Sequence, residues 1–271
     1  MSEEAIKKIL ITGANGFIGG SLMRYYQNHG QDVVGVDLIG NGNDIVEGDV
    51  SQPNTISQQL QECDVIIHTA ALVSNAMQDS DMWQVNVLAT RNLIQAAKEH
   101  KVRRFVQISS IVAYGNSAEG ELDETHPVHA DGGSYVLTKL ASEHVVLSEQ
   151  ANDDIEVVII RPGDAYGPGS RPWIIAPLEA IAKNQFMLPE KGEGFFRPIY
   201  IDDLVRGIAM ASRHPDADGE IFNLSCEGYM FTKDYFTPHY QWLGKKRPMV
   251  VSTNLALKIS AIASKLADLM G

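Results

Sequence analysis

Apolar residues in this chain come in short unbroken runs separated by amphipathic stretches. Ile9 to Thr12, Asp32 to Asp37 (DVVGVD), Val65 to His68, Phe105 to Ile108 and Val157 to Ile160 are rich in Val and Ile. Runs of that length, apolar on both faces, predict strands buried in a parallel sheet. Between them the spacing shifts to the helical period. Gly16 to His29 places Phe17, Ile18, Leu22 and Tyr25 on one face, and Gly30 stops it. Asn54 to Gln61, Trp83 to His100 and Ser134 to Gln150 read as further helices. Strands alternating with helices imply right-handed crossovers, hence an α/β fold with a doubly wound parallel sheet.

The second half changes character. Pro162 to Pro198 is proline-rich with little strand signal, and reads as the start of a smaller lobe. Ile199 to Ile201 is a short return segment, and Asp202 can cap a helix running to Met210. Gly219 to Ser225 (GEIFNLS) reads as a late strand returning to the sheet, and Asn254 to Leu269 as an amphipathic terminal helix. The expected division is residues 1–161 with 199–225 for the sheet domain, and 162–198 with 226–271 for an interleaved C-terminal lobe.

Composition narrows the class. The 271 residues are 44% hydrophobic and 21% charged, ordinary for a globular chain long enough to bury a substantial core. A formal net charge of −12 argues against nucleic acid or an anionic membrane as the main partner. Cys63 and Cys226 lie far apart, so a disulfide framework is not expected and a reducing cytoplasm fits. Met1 to Lys8 is polar, without an apolar signal segment, and no run approaches the roughly 20 apolar residues of a membrane span. The expected location is cytoplasmic.

The first strand opens onto Thr12-Gly13-Ala14-Asn15-Gly16-Phe17-Ile18-Gly19, with glycines at GxxGxxG spacing just before a helix. A pyrophosphate needs glycine there to approach the backbone, and the helix start offers it free N–H groups and a positive dipole end. Gly13, Asn15, Gly16, Phe17, Ile18 and Gly19 are therefore candidate cofactor contacts. Asp37 ends the second strand, 18 residues after Gly19. Its carboxylate can accept from ribose hydroxyls and would repel a 2′-phosphate. No Arg or Lys occurs in Leu38-Ile39-Gly40-Asn41, so NAD is favoured over NADP.

Tyr135 and Lys139 stand four apart on a predicted helix and share a face. An ammonium near a phenol favours phenolate, and a phenol so tuned can give or take the proton of a hydroxyl. Ser109 and Ser110 follow the run Phe105 to Ile108, at the carboxyl end of a strand, where open α/β sheets bind ligands. Together with TGANGFIGG (Thr12 to Gly20), GDV (Gly48 to Val50), HTAA (His68 to Ala71), NVLAT (Asn86 to Thr90), ISSIVAYG (Ile108 to Gly115), YVLTK (Tyr135 to Lys139), RPGDAYGPG (Arg161 to Gly169) and YIDD (Tyr200 to Asp203), these residues carry a resemblance. The chain resembles the extended branch of the short-chain dehydrogenase/reductase superfamily, which holds NAD-dependent epimerases, dehydratases and 3β-hydroxysteroid dehydrogenase-like enzymes.

The resemblance implies a Rossmann-type sheet with a smaller substrate lobe. It implies Tyr135 as catalytic acid/base, Lys139 as the group that depresses its pKa and holds the nicotinamide ribose, and Ser110 as the catalytic Ser/Thr. Asp49 and Val50 would bracket the adenine. Thr69, Ala70 and Ala71 would line the cofactor, with Ser109 one place before the catalytic serine. Asn86 would brace the strand ends, and Pro162 would sit against the nicotinamide. A homodimer built on the helices Trp83 to His100 and Ser134 to Gln150 is expected on the same ground. The chain ends sooner than members of that branch usually do, which implies a reduced lid or a pocket closed by a partner chain.

Substrate signals are mixed. Sugar-nucleotide members often carry Asn where this chain has Asp164, and Arg where Phe196 stands, with Arg197 offset by one. Both departures speak against a nucleotide-diphosphate sugar; Asp164 and Arg197 stay, with Ser110, as candidate substrate contacts. Trp173, Ile174, Ile175, Phe186, Met187, Phe195 and Phe196 suit a partly hydrophobic hydroxyl compound or a lobe core. His126 and His129 have HxxH spacing with no third ligand fixed nearby, so no metal is expected. His68, ending a buried strand, reads as a packed histidine. Three readings stand: a dehydrogenase or ketoreductase, an epimerase or dehydratase that recycles NAD, and a non-catalytic NAD-sensing module, the last disfavoured by the intact Ser110, Tyr135 and Lys139.

Overall fold

The computed structural model describes residues 6–73, 78–115, 120–151 and 154–259. The chain opens with β1 (Lys8–Thr12), α1 (Phe17–Asn28), β2 (Asp32–Asp37), β3 (Ile45–Glu47), α2 (Ser57–Leu60) and β4 (Val65–His68). Next come α3 (Asp79–Trp83), α4 (Ala89–Glu99), β5 (Arg104–Ile108), α5 (Ser134–Gln150) and β6 (Glu156–Pro162). Then follow β7 (Asp164–Tyr166), α6 (Ala176–Ala182), β8 (Phe195–Phe196), β9 (Pro198–Tyr200), α7 (Ile201–Arg213), β10 (Ile221–Leu224), β11 (Met230–Phe231) and α8 (Thr232–Trp242). Residues 253–259 are helical; the remainder of the expected terminal helix lies outside the described residues.

The chain divides into two compact units, Met1–Gly163 with Ile201–Leu224, and Asp164–Tyr200 with Ser225–Gly271. Among the described residues, the first holds a seven-stranded sheet in the order β10-β6-β5-β4-β1-β2-β3, every neighbour parallel. The order reverses between β1 and β4, where Thr12 pairs with His68. That reversal opens a crevice at the carboxyl ends of the strands, the place where such sheets bind ligands. All residues of β4 and β5 are buried, as the sheet covered on both faces requires. Leu10, Val36, Ile66, Leu93, Phe105 and Val157 belong to one core cluster.

Several elements depart from expectation. β3 had no signal, being three residues flanked by polar loops. The core stripe of α1 is Gly19, Leu22, Met23 and Tyr26, one position round from the expected face; Tyr25 instead packs its ring 4.2 Å from that of His29. The helix expected over Trp83 to His100 begins at Asp79 and contains a π-helical stretch, Gln84–Leu88. Asp202 does not cap α7, because the helix already starts at Ile201; Asp202 and Asp203 lie in its first turn, facing the positive end of the dipole. β5 begins at Arg104, a fully buried guanidinium. It bonds Glu156 at 2.6 Å and donates to the carbonyls of Ala211 and His214 at the end of α7.

In the second unit β7 runs parallel to β9, β8 antiparallel to β11, and Leu188 bridges Val250. Its core is Leu188, Phe196, Tyr235 and Phe236, with Tyr166, Trp173 and Phe186 packed on it. Trp173, Phe186 and Phe196 therefore fill the lobe itself, and their composition says nothing about a substrate.

Candidate active site

The chain leaves β1 through Gly13, whose φ is +67°. A Cβ there would lie 2.8 Å from the Ala70 nitrogen, and one at Gly19 would lie 2.2 Å from the Gly13 oxygen. Both positions demand glycine, and both draw the start of α1 and the loop after β4 tightly round the turn. Gly16 caps α1 without a side-chain bond, and no acidic residue stands in the first turn. The helix start thus keeps its N–H groups and positive dipole end for an anion. Asp37 is fixed beside this turn: its carboxylate accepts the N–H of Asn15 at 2.9 Å and of Leu38 at 2.8 Å. A carboxylate has about four lone-pair sites, so two remain for hydroxyls. The donor set and the cradle fit a dinucleotide's pyrophosphate and ribose.

The loop after β4 is tied to β1. Thr69 Oγ1 donates to the Thr12 carbonyl at 2.6 Å, and the N–H of Ala70 reaches Thr12 Oγ1 at 3.4 Å. His68 is buried between Thr12 and Thr90, with 2.7 and 3.0 Å contacts at its two ring nitrogens. Burial, aided by the Lys139 charge, pushes it down to about 3. It is a neutral, satisfied histidine, as its place in the sequence suggested. Asn86 sits in the π-helical stretch, a feature frequent at functional sites. Its Oδ1 accepts from Leu72 N at 2.7 Å, and its amide hydrogens go to the Leu72 carbonyl and Thr138 Oγ1. It braces the loop that carries Ala70 and Ala71, with both amide hydrogens used inside the protein. Val50 packs in the core, and Asp49 closes a local turn by accepting the Ser51 N–H at 2.8 Å. Pro162 ends β6, paired with Leu224.

Ser109 and Ser110 part company at the end of β5. Adjacent extended residues face opposite ways, and Ser109 turns inward, buried, with its hydroxyl 2.5 Å from Glu143 Oε1. The Ser109 hydroxyl is thereby engaged with Glu143 on α5. Ser110 caps the following turn, accepting from Val112 N at 3.3 Å, and lies beside Tyr135. Burial raises the Tyr135 phenol above its ordinary value, and the Ser110 hydrogen bond opposes that rise. Lys139 stands with Nζ 6.0 Å from the Tyr135 ring centroid and donates to the Ile108 carbonyl at 2.9 Å. Its own pKa is pushed down to about 8 by burial, against the pull of Glu143. The Lys139 ammonium, 6.0 Å from the ring centroid, stands within reach of a phenolate on Tyr135.

Sequence reasoning passed over Glu143 and Arg161, a buried pair joined at 3.0 and 2.7 Å. The signal was available: Glu143 repeats the four-residue step from Tyr135 to Lys139, and Arg161 interrupts an apolar strand.

In the second unit, Asp164 exchanges backbone contacts with Arg197: its N–H meets the Arg197 carbonyl at 2.7 Å, and its Oδ2 accepts the Arg197 N–H at 3.1 Å. Burial pushes the Asp164 carboxyl up to about 6. The Arg197 guanidinium donates to the Gly228 carbonyl and lies 5.7 Å from the Tyr229 ring.

A glycine cradle at the switch point of a doubly wound sheet, with Ser, Tyr and Lys grouped at the neighbouring strand ends, marks a nicotinamide-dinucleotide class of α/β protein. The chain belongs to the NAD dependent epimerase/dehydratase family, whose model matches residues 9–225. It is 28% identical over 237 residues to the low-salt glycan biosynthesis protein Agl12 of Haloferax volcanii, covering 80% of this chain and 76% of that protein. It is 26% identical over 264 residues to a decarboxylating sterol-4-alpha-carboxylate 3-dehydrogenase of Candida albicans, covering 88% and 73%. Among solved structures, MoeE5 in complex with UDP-glucose and NAD superposes with a TM-score of 0.80 at 26% identity, covering 90% of this chain and 85% of that one. UDP-glucuronic acid 4-epimerase from Bacillus cereus in complex with NAD does so at 0.80 and 26%, covering 91% and 87%. Among the described residues, no helix is long and apolar enough to cross a membrane.

Proposed function

We propose that this protein is an NAD-dependent oxidoreductase acting on a secondary alcohol or ketone of a partly hydrophobic hydroxyl compound, with Tyr135 as acid/base. The observation that carries the reading is the grouping of Ser110 and Lys139 about Tyr135 at the carboxyl end of β5. Gly13, Asn15, Gly16, Phe17, Ile18 and Gly19 would hold the pyrophosphate, Asp37 the adenosine ribose, and Thr69, Ala70, Ala71 and Pro162 the nicotinamide half. NAD, when bound, supplies the acceptor for a hydride from the substrate carbon. Ser110 hydrogen-bonds the substrate oxygen and orients it. Tyr135 stands protonated at neutral pH, the form that donates to a developing alkoxide when a ketone is reduced. In the reverse direction the Lys139 ammonium stabilises the phenolate that must accept the alcohol's proton. Asp164 and Arg197 are assigned to the substrate side. A half-buried carboxylate is a poor neighbour for a diphosphate, which favours a hydroxyl compound without one.

The nucleotide-sugar complexes among the structural neighbours support a second reading, an epimerase or dehydratase with recycled NAD. A cytoplasmic homodimer is proposed with either. The test is a screen of hydroxysteroids, other secondary alcohols and UDP-sugars against wild type and Tyr135→Phe. The expected result is NAD reduction by an alcohol, lowered at least about 100-fold by Tyr135→Phe. Conversion of a UDP-sugar without net NADH, or full activity in Tyr135→Phe, overturns it.

A further inference from the structure

The pair Glu143–Arg161 lies behind the Ser, Tyr and Lys group and has no part in the chemistry so far assigned. Glu143 is 2% exposed and Arg161 is 3% exposed. Glu143 Oε1 accepts from Ser109 Oγ at 2.5 Å and from Arg161 Nε at 3.0 Å, and Oε2 accepts from Arg161 Nη2 at 2.7 Å. The Tyr114 ring covers the guanidinium at 4.8 Å, and among the described residues Arg161 Nη1 has no hydrogen-bond partner. Stability is a weak reason for such a pair, because well-packed apolar replacements of buried ion pairs are often equally stable. Its contacts are more informative. Ser109 immediately precedes Ser110, and Glu143 stands one helical turn beyond Lys139 on α5.

Lys139 is 4% exposed, and among the described residues its ammonium has one hydrogen bond, to the Ile108 carbonyl. The titratable groups around it are few among the described residues. His68 on β4 is neutral, Tyr135 on α5 is protonated, and the Arg161 of β6 and the Tyr114 ring face Glu143's side of the network. Among the described residues, Glu143 is the carboxylate that draws the Lys139 pKa upward against burial.

We propose that Glu143 is a positioning residue of this site: clamped by Arg161, it fixes the strand end through Ser109 and supplies the negative charge that keeps the buried Lys139 ammonium in place beside Tyr135. The proposal rests on the reading of Tyr135 and Lys139 as the acid/base pair. It makes the site's working pH a property of a residue that touches neither cofactor nor substrate. Removing the carboxylate's charge while keeping its shape leaves Lys139 with the burial penalty and an Arg161 guanidinium that has lost its counter-charge, and both lower the pH at which the ammonium deprotonates.

The test is NMR titration of side-chain-labelled lysines in the full chain from pH 6 to 10.5, with the Lys139 resonance identified by its loss in Lys139→Arg. In Glu143→Gln the fraction of Lys139 protonated at pH 8 is expected to fall from about one half to about one tenth. The double variant Glu143→Gln/Arg161→Met removes the guanidinium as well; its Lys139 midpoint is expected to fall by less than in the single variant but still below the wild type, and it carries the test should the single variant lose its folded near-UV signal. A Lys139 midpoint equal to that of the wild type in the folded variant overturns the proposal. NADH fluorescence titration of the wild type is run alongside. No NADH uptake by the wild type overturns the acid/base reading instead, whatever the lysine titration shows.

Discussion

Asp164 shows how one side chain's environment becomes a property of the whole protein. Its carboxyl is pushed up to about 6, well above the ordinary aspartate range, because it is half-buried and has the Arg197 N–H alone to offset the loss of water. A carboxyl raised in this way binds more protons folded than unfolded between about pH 4 and 6. Its ionisation therefore costs stability that is absent below that window and fully present above it. Asp164→Asn is expected to stabilise the protein by roughly 1–3 kcal/mol at pH 7, with the gain shrinking as the pH falls towards 4. Urea unfolding at both pH values checks this; equal gains at both would show that the charge is irrelevant. Residue type at 164 was visible in the sequence, but its burial was not. The same holds for Ser109 and Ser110. Adjacency made both candidates, and only the alternation of the strand end showed that one faces Glu143 and the other Tyr135.

Elements were legible in proportion to how strongly they are buried. β1, β2, β4, β5 and β6 announce themselves as Val- and Ile-rich runs because both faces of the sheet are covered. β3 did not, being short and half-exposed at the sheet edge. The start of α3 is Asp-Ser-Asp, which carries no apolar period, and the π-helical stretch leaves no mark on an 18-residue periodic run. The glycine turn was legible because close approach admits a single residue type. Gly19→Ala puts a methyl group 2.2 Å from the Gly13 oxygen and forces α1 off β1. It is expected to weaken NADH binding at least about tenfold, with a stability loss of roughly 1–3 kcal/mol. Gly20→Ala, whose Cβ would meet the Ala14 oxygen at 3.2 Å, serves as the control and should retain the affinity within about twofold. Equal affinities for NADH in the two variants would disconnect the turn from the cofactor.

At the scale of the molecule, the alternation of strands and helices in the first unit was legible in the sequence apart from β3 and the start of α3, whereas the second unit was not. Its aromatic residues form a small core of their own, and its strands are two or three residues long, too short to leave a pattern. Binding that favours the folded chain must raise its stability by mass action. At about 100 times its dissociation constant, NAD is expected to raise Tm by roughly 5–10 °C, and NADP at the same concentration by less than about 2 °C. Thermal denaturation with each nucleotide checks this, and equal shifts would remove Asp37 as the discriminating residue. The guanidinium of Arg104, sealed under the end of α7, has a different consequence, for anyone dividing the gene. A fragment ending at residue 163 would retain nearly all of the dinucleotide turn and the Ser, Tyr and Lys group, yet lose the carbonyls of Ala211 and His214 that receive that charge. It would also strip β10 from the flank of β6, baring a row of unpaired backbone groups. Such a truncation should clump on expression rather than behave as a portable cofactor module, because the polypeptide seals its first half only with residues made after the second has begun.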